Sequence, residues 1–337
     1  MKEIKILGID LAKNVFQLHG VDAAGKPALR KNVSRGKLME TLANFPRCLI
    51  GIEACGGAHY WAREISKLGH EVRIMAPQFV APYRKSGKND LNDAEAICEA
   101  VSRPHMRFVA VKTEAQQSAL MVHRVRASIN TERTALINQM RGLLQEFGFV
   151  IAKGASNFSK RFLEVLEKEN LPLDAVEVLA ELRGHLLTLE DRLAKYDRMI
   201  ARMLKDEMVA RVMTIPGVGP VTATAVVATV GDAKVFHNGR EMAAYVGLVP
   251  RQNSSGGKTR LGRITKLGDS YLRSLFVQGA LIVIRHLGDK KDTRSQWIRS
   301  LVERRGVKKA AVALAARMVR IAWALMARNE PYKPATS

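Results

Sequence analysis

Six side chains in this 337-residue sequence have the type and spacing for phosphoryl-transfer chemistry: Asp10, Glu53, Asp90, Asp93, Ser254 and Ser255. Asp10 closes the apolar run "ILGID" and Glu53 closes "LIGIE", so each carboxylate stands at the end of a predicted strand. Adjacent strands of one sheet would bring the two together. In "KNDLNDAEAI", Asp90 and Asp93 lie three apart at a helix start, a spacing that turns both toward one face. Converging carboxylates offer the hard oxygens that Mg2+ prefers, and a pair of ions held there would stabilise the attacking and leaving oxygens of a phosphate. Singly, each acid has an ordinary reading: a turn residue at Asp10, a helix cap at Asp90, a first-turn acid at Asp93. The combination favours a site, because an acid buried behind an apolar strand is costly without a partner or a metal, and this sequence offers it twice.

The second centre is "RQNSSGGKTRLGRITKLGDSYLR", Arg251 to Arg273, in which no acid precedes Asp269. Glycines after Ser254 and Ser255 allow close backbone approach, while Lys258, Arg260, Arg263, Lys266 and Arg273 could hold a phosphate and neutralise charge in its transition state. Serine is a weak nucleophile unless a base, a metal or a strong field activates it, and no histidine lies nearby in sequence. A basic glycine-rich loop whose serines donate hydrogen bonds to a DNA backbone satisfies the same composition. Further upstream, "TIPGVGPVTATAVVATVGD" resembles a helix-hairpin-helix whose turn, at Gly217 and Gly219, exposes backbone amides to phosphate; a plain tight turn between packed helices is the competing reading.

These residues need elements to place them. "IKILGIDLAKN" and "VFQLHGVDAAGK" read as a hairpin, "CLIGIEACGG" as a further strand, "HYWAREISKLG" as a helix and "HEVRIMAP" as the next strand, which together indicate an α/β domain. From Glu114 to Phe147, Met121, Val125, Ile129, Leu136, Met140, Leu143 and Phe147 recur at near-helical spacing. Leu182, Leu186, Leu189, Leu193, Tyr196, Ile200 and Met203 alternate by four and three, the seam of a coiled coil, serving either an intramolecular hairpin or a dimer contact. "EKENLPLDAVE" between them reads as a linker or reversal, and the remainder as helical.

A count of 54 Lys and Arg against 32 Asp and Glu gives a formal charge of +22, so the expected large partner is a polyanion, nucleic acid first. No uninterrupted apolar run suggests a membrane span and "MKEIKILGID" reads as a strand, so no membrane role and a cytoplasmic location are expected. Cys48, Cys55 and Cys98 show neither CxxC pairing nor zinc-ligand spacing and are expected to be reduced, buried and apolar.

In their order, "GIDLAKNVFQLHGVDAAGK", "GIEACGGAHYWAREI", "KNDLNDAEAI", "TIPGVGPVTATAVVA" and "AAYVGLVPRQNSSGGKTRLGRITKLGDSYLR" resemble the DEDD-type insertion-sequence transposases of the IS-one-ten family, which is similar to the Piv DNA invertases. The resemblance runs over nearly the whole chain. It implies an RNase H-like (RuvC-like) α/β domain over 1–110, coiled-coil helices over 111–206 and an all-α C-terminal transposase domain over 207–330. It also implies that Asp10, Glu53, Asp90 and Asp93 are the family's four metal-binding acids and that Ser255, or its neighbour Ser254, is the nucleophile. The expected partners are donor and target DNA, a bridge RNA pairing with both, and further copies of the chain in a dimer or tetramer. An RNase H-type nuclease or junction resolvase that uses water as nucleophile is the alternative activity.

Overall fold

The computed structural model describes residues 3–85, 90–168, 171–255 and 257–332. By internal contacts the chain divides into two units, Met1–Glu114 with Val230–His237, and Ala115–Thr229 with Asn238–Ser337.

In the first unit, β1 (Ile6–Asp10), β2 (Val15–Val21) and β3 (Pro27–Ser34) form an antiparallel meander. After α1 (Leu38–Ala43), β4 (Leu49–Glu53) lies parallel beside β1, and α2 (Ala58–Lys67) crosses over to the parallel β5 (Glu71–Met75). Short α3 (Pro77–Val80), then α4 (Asp90–Val101) and β6 (Phe108–Val109), antiparallel to β5, complete a six-stranded mixed sheet in the order β3-β2-β1-β4-β5-β6. The expected β1–β2 hairpin is present. Strand β3 was not anticipated, because an edge strand that exposes Arg30 and Lys31 lacks the apolar alternation that announces a strand.

Alternation along the strands decides the layers. Leu7 and Ile9 of β1, Ile50 and Ile52 of β4 and Ile74 of β5 share a core with Leu38 and Leu42 of α1 and with Trp61, Ala62 and Ile65 of α2. On the other face, Ile6 and Leu49 pack against a second core made by Ala96, Ile97, Ala100 and Val101 of α4 with Met75 and Val80. Gly8 and Gly51 are paired in register on this second face. A Cβ at Gly8 would fall 2.2 Å from the Ala94 carbonyl oxygen, and one at Gly51 2.8 Å from Val101 Cβ. The two glycines therefore let α4 rest on the sheet backbone, at the face on which Asp10 and Glu53 lie two residues further along.

The second unit begins with α5 (Glu114–Gln145), α6 (Ala155–Lys168) and α7 (Leu173–Arg202). Their common core takes Ile129, Leu136, Met140 and Leu144 from α5, Phe158, Phe162 and Val165 from α6, and Leu179, Leu186 and Leu189 from α7. Three helices share it, not two, and Met121, Leu143 and Phe147 of the expected α5 series are exposed. Next come α8 (Glu207–Met213), α9 (Pro220–Val230), α10 (Gly239–Tyr245), the hairpin β7 (Pro250–Gln252) and β8 (Leu261–Ile264), α11 (Ser270–Arg285), α12 (Thr293–Arg305) and α13 (Val307–Arg328). Among the described residues α13 alone is long and apolar enough to cross a membrane, yet half of it is buried, and it packs on α8, α10, α11 and α12. The region expected to be all-α thus carries one small sheet, β7–β8.

Candidate active site

The parallel register sets Ile9 beside Ile52, so the next residues, Asp10 and Glu53, end neighbouring strands on the face that α4 covers. Asp93, in the first turn of α4, is buried. Asp90 is the first residue of that helix, and its side chain lies outside the described residues. Arg84, absent from the sequence reading, joins two of the acids. Its Nη2 donates to Glu53 Oε2 at 3.0 Å, and its Nε lies 2.8 Å from Asp93 Oδ1. That second contact is an ion pair without hydrogen-bond alignment, and among the described residues the buried Asp93 Oδ1 accepts no hydrogen bond. Lys85 Nζ donates to Glu95 Oε1 at 2.5 Å and, by that bond first, holds the Glu95 carboxyl below its ordinary range. Residues 84 and 85 are so tied to the start of α4.

Cys55 reports on the same place. Its thiol is pushed up, first by loss of surrounding water and then by the negative charges of Asp10 and Glu53. The thiol therefore lies close enough to both strand ends to feel both carboxylates. Contrary to expectation Cys55 is exposed, because it sits in the turn after β4 and outside the sheet's cores; Cys48 and Cys98 are buried as expected, with burial raising them to about 11 and about 12.

The serine stretch is a hairpin tip, where a loop was expected. Pro250 pairs with Ile264 and Gln252 with Leu261. Beyond the strands, Asn253 N donates to Arg260 O at 3.0 Å and Lys258 N to Ser255 O at 3.1 Å. Both serines are exposed. Ser254 Oγ accepts from Gln252 Nε2 at 2.9 Å, whereas the Ser255 hydroxyl makes no hydrogen bond among the described residues. Lys258, Arg260, Arg263 and Lys266 are exposed on or beside the hairpin. Arg273 differs: half-buried in α11, its Nη1 donates to the Val246 carbonyl at 2.9 Å, where it anchors the chain after α10. Gly217, at φ +89°, packs against α11, since a Cβ there would meet Gly279 O at 2.7 Å; Gly219 is exposed with open space around it. The first glycine of that turn thus serves helix packing.

A buried histidine ties α11 to α5 and α9. Thr224 Oγ1 donates to the Pro220 carbonyl at 2.7 Å, so it accepts from His123 Nε2 at 3.1 Å, and His123 Nδ1 is left to accept from the Tyr271 hydroxyl at 3.2 Å. Burial lowers His123 to about 4 and raises Tyr271, keeping the link neutral. Nothing in the spacing of "MVHRV" marked this residue as more than one turn of a helix.

Residues 7–149 match the family model of DEDD-type IS110 transposases, and residues 209–303 match the transposase model of the IS116/IS110/IS902 family. Across 97% of its length the chain is 48% identical to a probable family 20 transposase of Pseudomonas aeruginosa, of which it covers 98%. The chain belongs to the IS110/IS116/IS902 family of transposases. It is 44% identical, over 99% of its length and 92% of the relative, to the transposase for insertion sequence element IS1111A of Coxiella burnetii. The corresponding transposase for element IS1328 of Yersinia enterocolitica is 42% identical over 96% of this chain and 97% of its own. This transposase is therefore an enzyme that acts on DNA, and its mixed sheet fits the RNase H-like α/β fold that its DEDD domain suggests.

DEDD domains typically work with a divalent metal. The donor set of this transposase suits one in chemistry: Glu53 and Asp93 converge on a single positive centre, and the buried Asp93 Oδ1 has no hydrogen-bond donor among the described residues. Among the described residues no three acidic, histidine or cysteine side chains gather as closely as a bound ion demands, and the guanidinium of Arg84 is the cation between two of them.

Proposed function

We propose that this transposase cuts and rejoins DNA through a covalent phosphoserine intermediate formed by Ser255, and that a bridge RNA paired with donor and target DNA directs it. The observation that carries the reading is the exposed hydroxyl of Ser255, without a hydrogen bond among the described residues, at a basic hairpin tip, in a chain whose other unit ends its sheet in Asp10 and Glu53 beneath Asp93. Ser254, whose oxygen already accepts from Gln252, is the neighbour that orients the tip.

In the reaction the Ser255 hydroxyl loses its proton to a carboxylate of the acidic set and its oxygen bonds to phosphorus. The bond from phosphorus to the deoxyribose oxygen breaks, and that oxygen leaves with a proton as a hydroxyl. Lys258, Arg260, Arg263 and Lys266 spread positive charge where negative charge develops. Attack by a hydroxyl of the exchanged strand then restores the serine and reseals the DNA. One ester is exchanged for another at each step, so no external energy is consumed. Asp10, Glu53, Asp90 and Asp93 would hold Mg2+, which supplies Lewis-acid polarisation of the phosphate oxygens when bound. The formal charge of +22 supports a protein that holds RNA and two duplexes while base pairing supplies sequence choice. The working particle is a dimer or tetramer, in which carboxylates and serine are drawn from one chain or from two.

The test is a strand-exchange assay on DNA carrying the element's ends and its target, with Ser255→Ala beside Ser254→Ala. Loss of the nucleophile is expected to lower the rate on the order of a thousandfold or more, with Ser254→Ala within about tenfold of wild type. If both variants exchange strands normally the serine role is wrong. If Ser255→Ala still cleaves without joining, water is the nucleophile and the protein acts as an RNase H-type nuclease or junction resolvase.

A further inference from the structure

The last helix carries a stripe that the reaction above does not use. Trp323, Ala324 and Arg328 lie three, four and eight residues beyond Arg320 on one face of α13, and with Gly239 and Arg240 of α10 these residues line an open cleft of about 430 Å³ within the second unit. Close approach of the two helices makes the cleft: a Cβ at Gly239 would lie 2.9 Å from Arg320 Cα. The guanidinium carbon of Arg328 stands 5.8 Å from the centre of the Trp323 ring. Arg240, Arg320 and Arg328 are exposed, none of them forms an ion pair among the described residues, and the sequence holds no acid between Glu303 and Glu330.

Three guanidiniums without an ion pair among the described residues, set around one cleft, repel each other, and an anion is the partner that relieves them. A tryptophan among them narrows the choice. Phosphate alone needs no aromatic wall, and the bases of a duplex are already stacked on each other; an unpaired nucleotide presents a phosphate to arginine and a free ring face to tryptophan. The cleft volume lies within the range of pockets that hold a small molecule, which is enough for one nucleotide. We propose that this cleft binds an unpaired nucleotide of a single-stranded nucleic acid segment, its phosphate on Arg240, Arg320 and Arg328 and its base against Trp323. The site stands apart in sequence from the serine hairpin and does not depend on the serine chemistry.

Fluorescence anisotropy of the full chain with a labelled single-stranded oligothymidylate of about 16 nucleotides tests this, beside a duplex of equal length. Arg320→Gln and Arg240→Gln should each weaken single-strand binding by about three- to tenfold and flatten its salt dependence by roughly 0.7 of a log unit per log unit of salt. Trp323→Ala should weaken it by about tenfold or more, and Trp323→Phe by much less, because a ring is retained. Lys195→Gln, on the exposed side of α7, is the control for diffuse charge. Equal losses from Lys195→Gln and Arg320→Gln would overturn the site. Arginine effects without a Trp323→Ala effect, or equal weakening of duplex binding by all cleft variants, would overturn the unpaired nucleotide as its occupant. Thermal midpoints of the arginine variants should match wild type, since their side-chain ends make no ion pair among the described residues.

Discussion

Arg84 is the residue on which the acidic set turns, because its guanidinium reaches both Glu53 and Asp93. A buried carboxylate needs a counter-charge, and in the chain as it stands the counter-charge is this side chain. The thiol of Cys55 gives the set a reporter that needs no DNA. Loss of surrounding water first, and then the charges of Asp10 and Glu53, hold its pKa above the ordinary thiol value, so less thiolate is present at a given pH and alkylation there is slowed. Asp10→Asn removes one of the two charges, lowers that pKa and should speed iodoacetamide labelling of Cys55 at about pH 8, measured on the peptide by mass spectrometry. Magnesium chloride should act in the same direction on the wild-type protein if the acids hold the ion. Labelling indifferent to Asp10→Asn would mean that the carboxylate does not stand where the thiol feels it.

At the scale of elements, the site depends on how closely α4 lies on the sheet. Gly8→Ala inserts a methyl where 2.2 Å separates it from the Ala94 carbonyl oxygen, and the helix must lift. The expected cost is about 3 kcal/mol in urea unfolding, at the upper end of overpacking, with loss of strand exchange because Asp93 moves with its helix. A Gly8→Ala protein as stable as wild type would show that α4 rests elsewhere. The strands "ILGID" and "LIGIE" were legible in the sequence because their short apolar runs and terminal acids are local signals. Arg84 was not, since only the fold brings it to the end of β4 and the first turn of α4 together. The β7–β8 hairpin was hidden for a different reason: its strands are short, exposed and basic, so no apolar period marks them. Helix α6 was hidden too. Its Phe158, Phe162 and Val165 complete the core of α5 and α7, and the two-helix seam read from leucine spacing lacked this third face. Gly217 and Arg273 show the same limit, as residue types suited to phosphate that the fold commits, in part or whole, to a helix contact and a carbonyl.

For the whole molecule, acids and serine belong to different units of the chain. The proposed chemistry needs a carboxylate and a hydroxyl at one phosphate, supplied by one chain or by two, and a formal charge of +22 suits a partner that carries phosphate. The most direct measurement is to trap the reaction on nicked or phosphorothioate-substituted DNA, separate it on a denaturing gel, and map any labelled protein by mass spectrometry. A phosphodiester link on Ser255, absent from Ser255→Ala and from Asp10→Asn, is the predicted result. Cleaved DNA with no protein attached, from a fully active enzyme under the same trapping conditions, would contradict it.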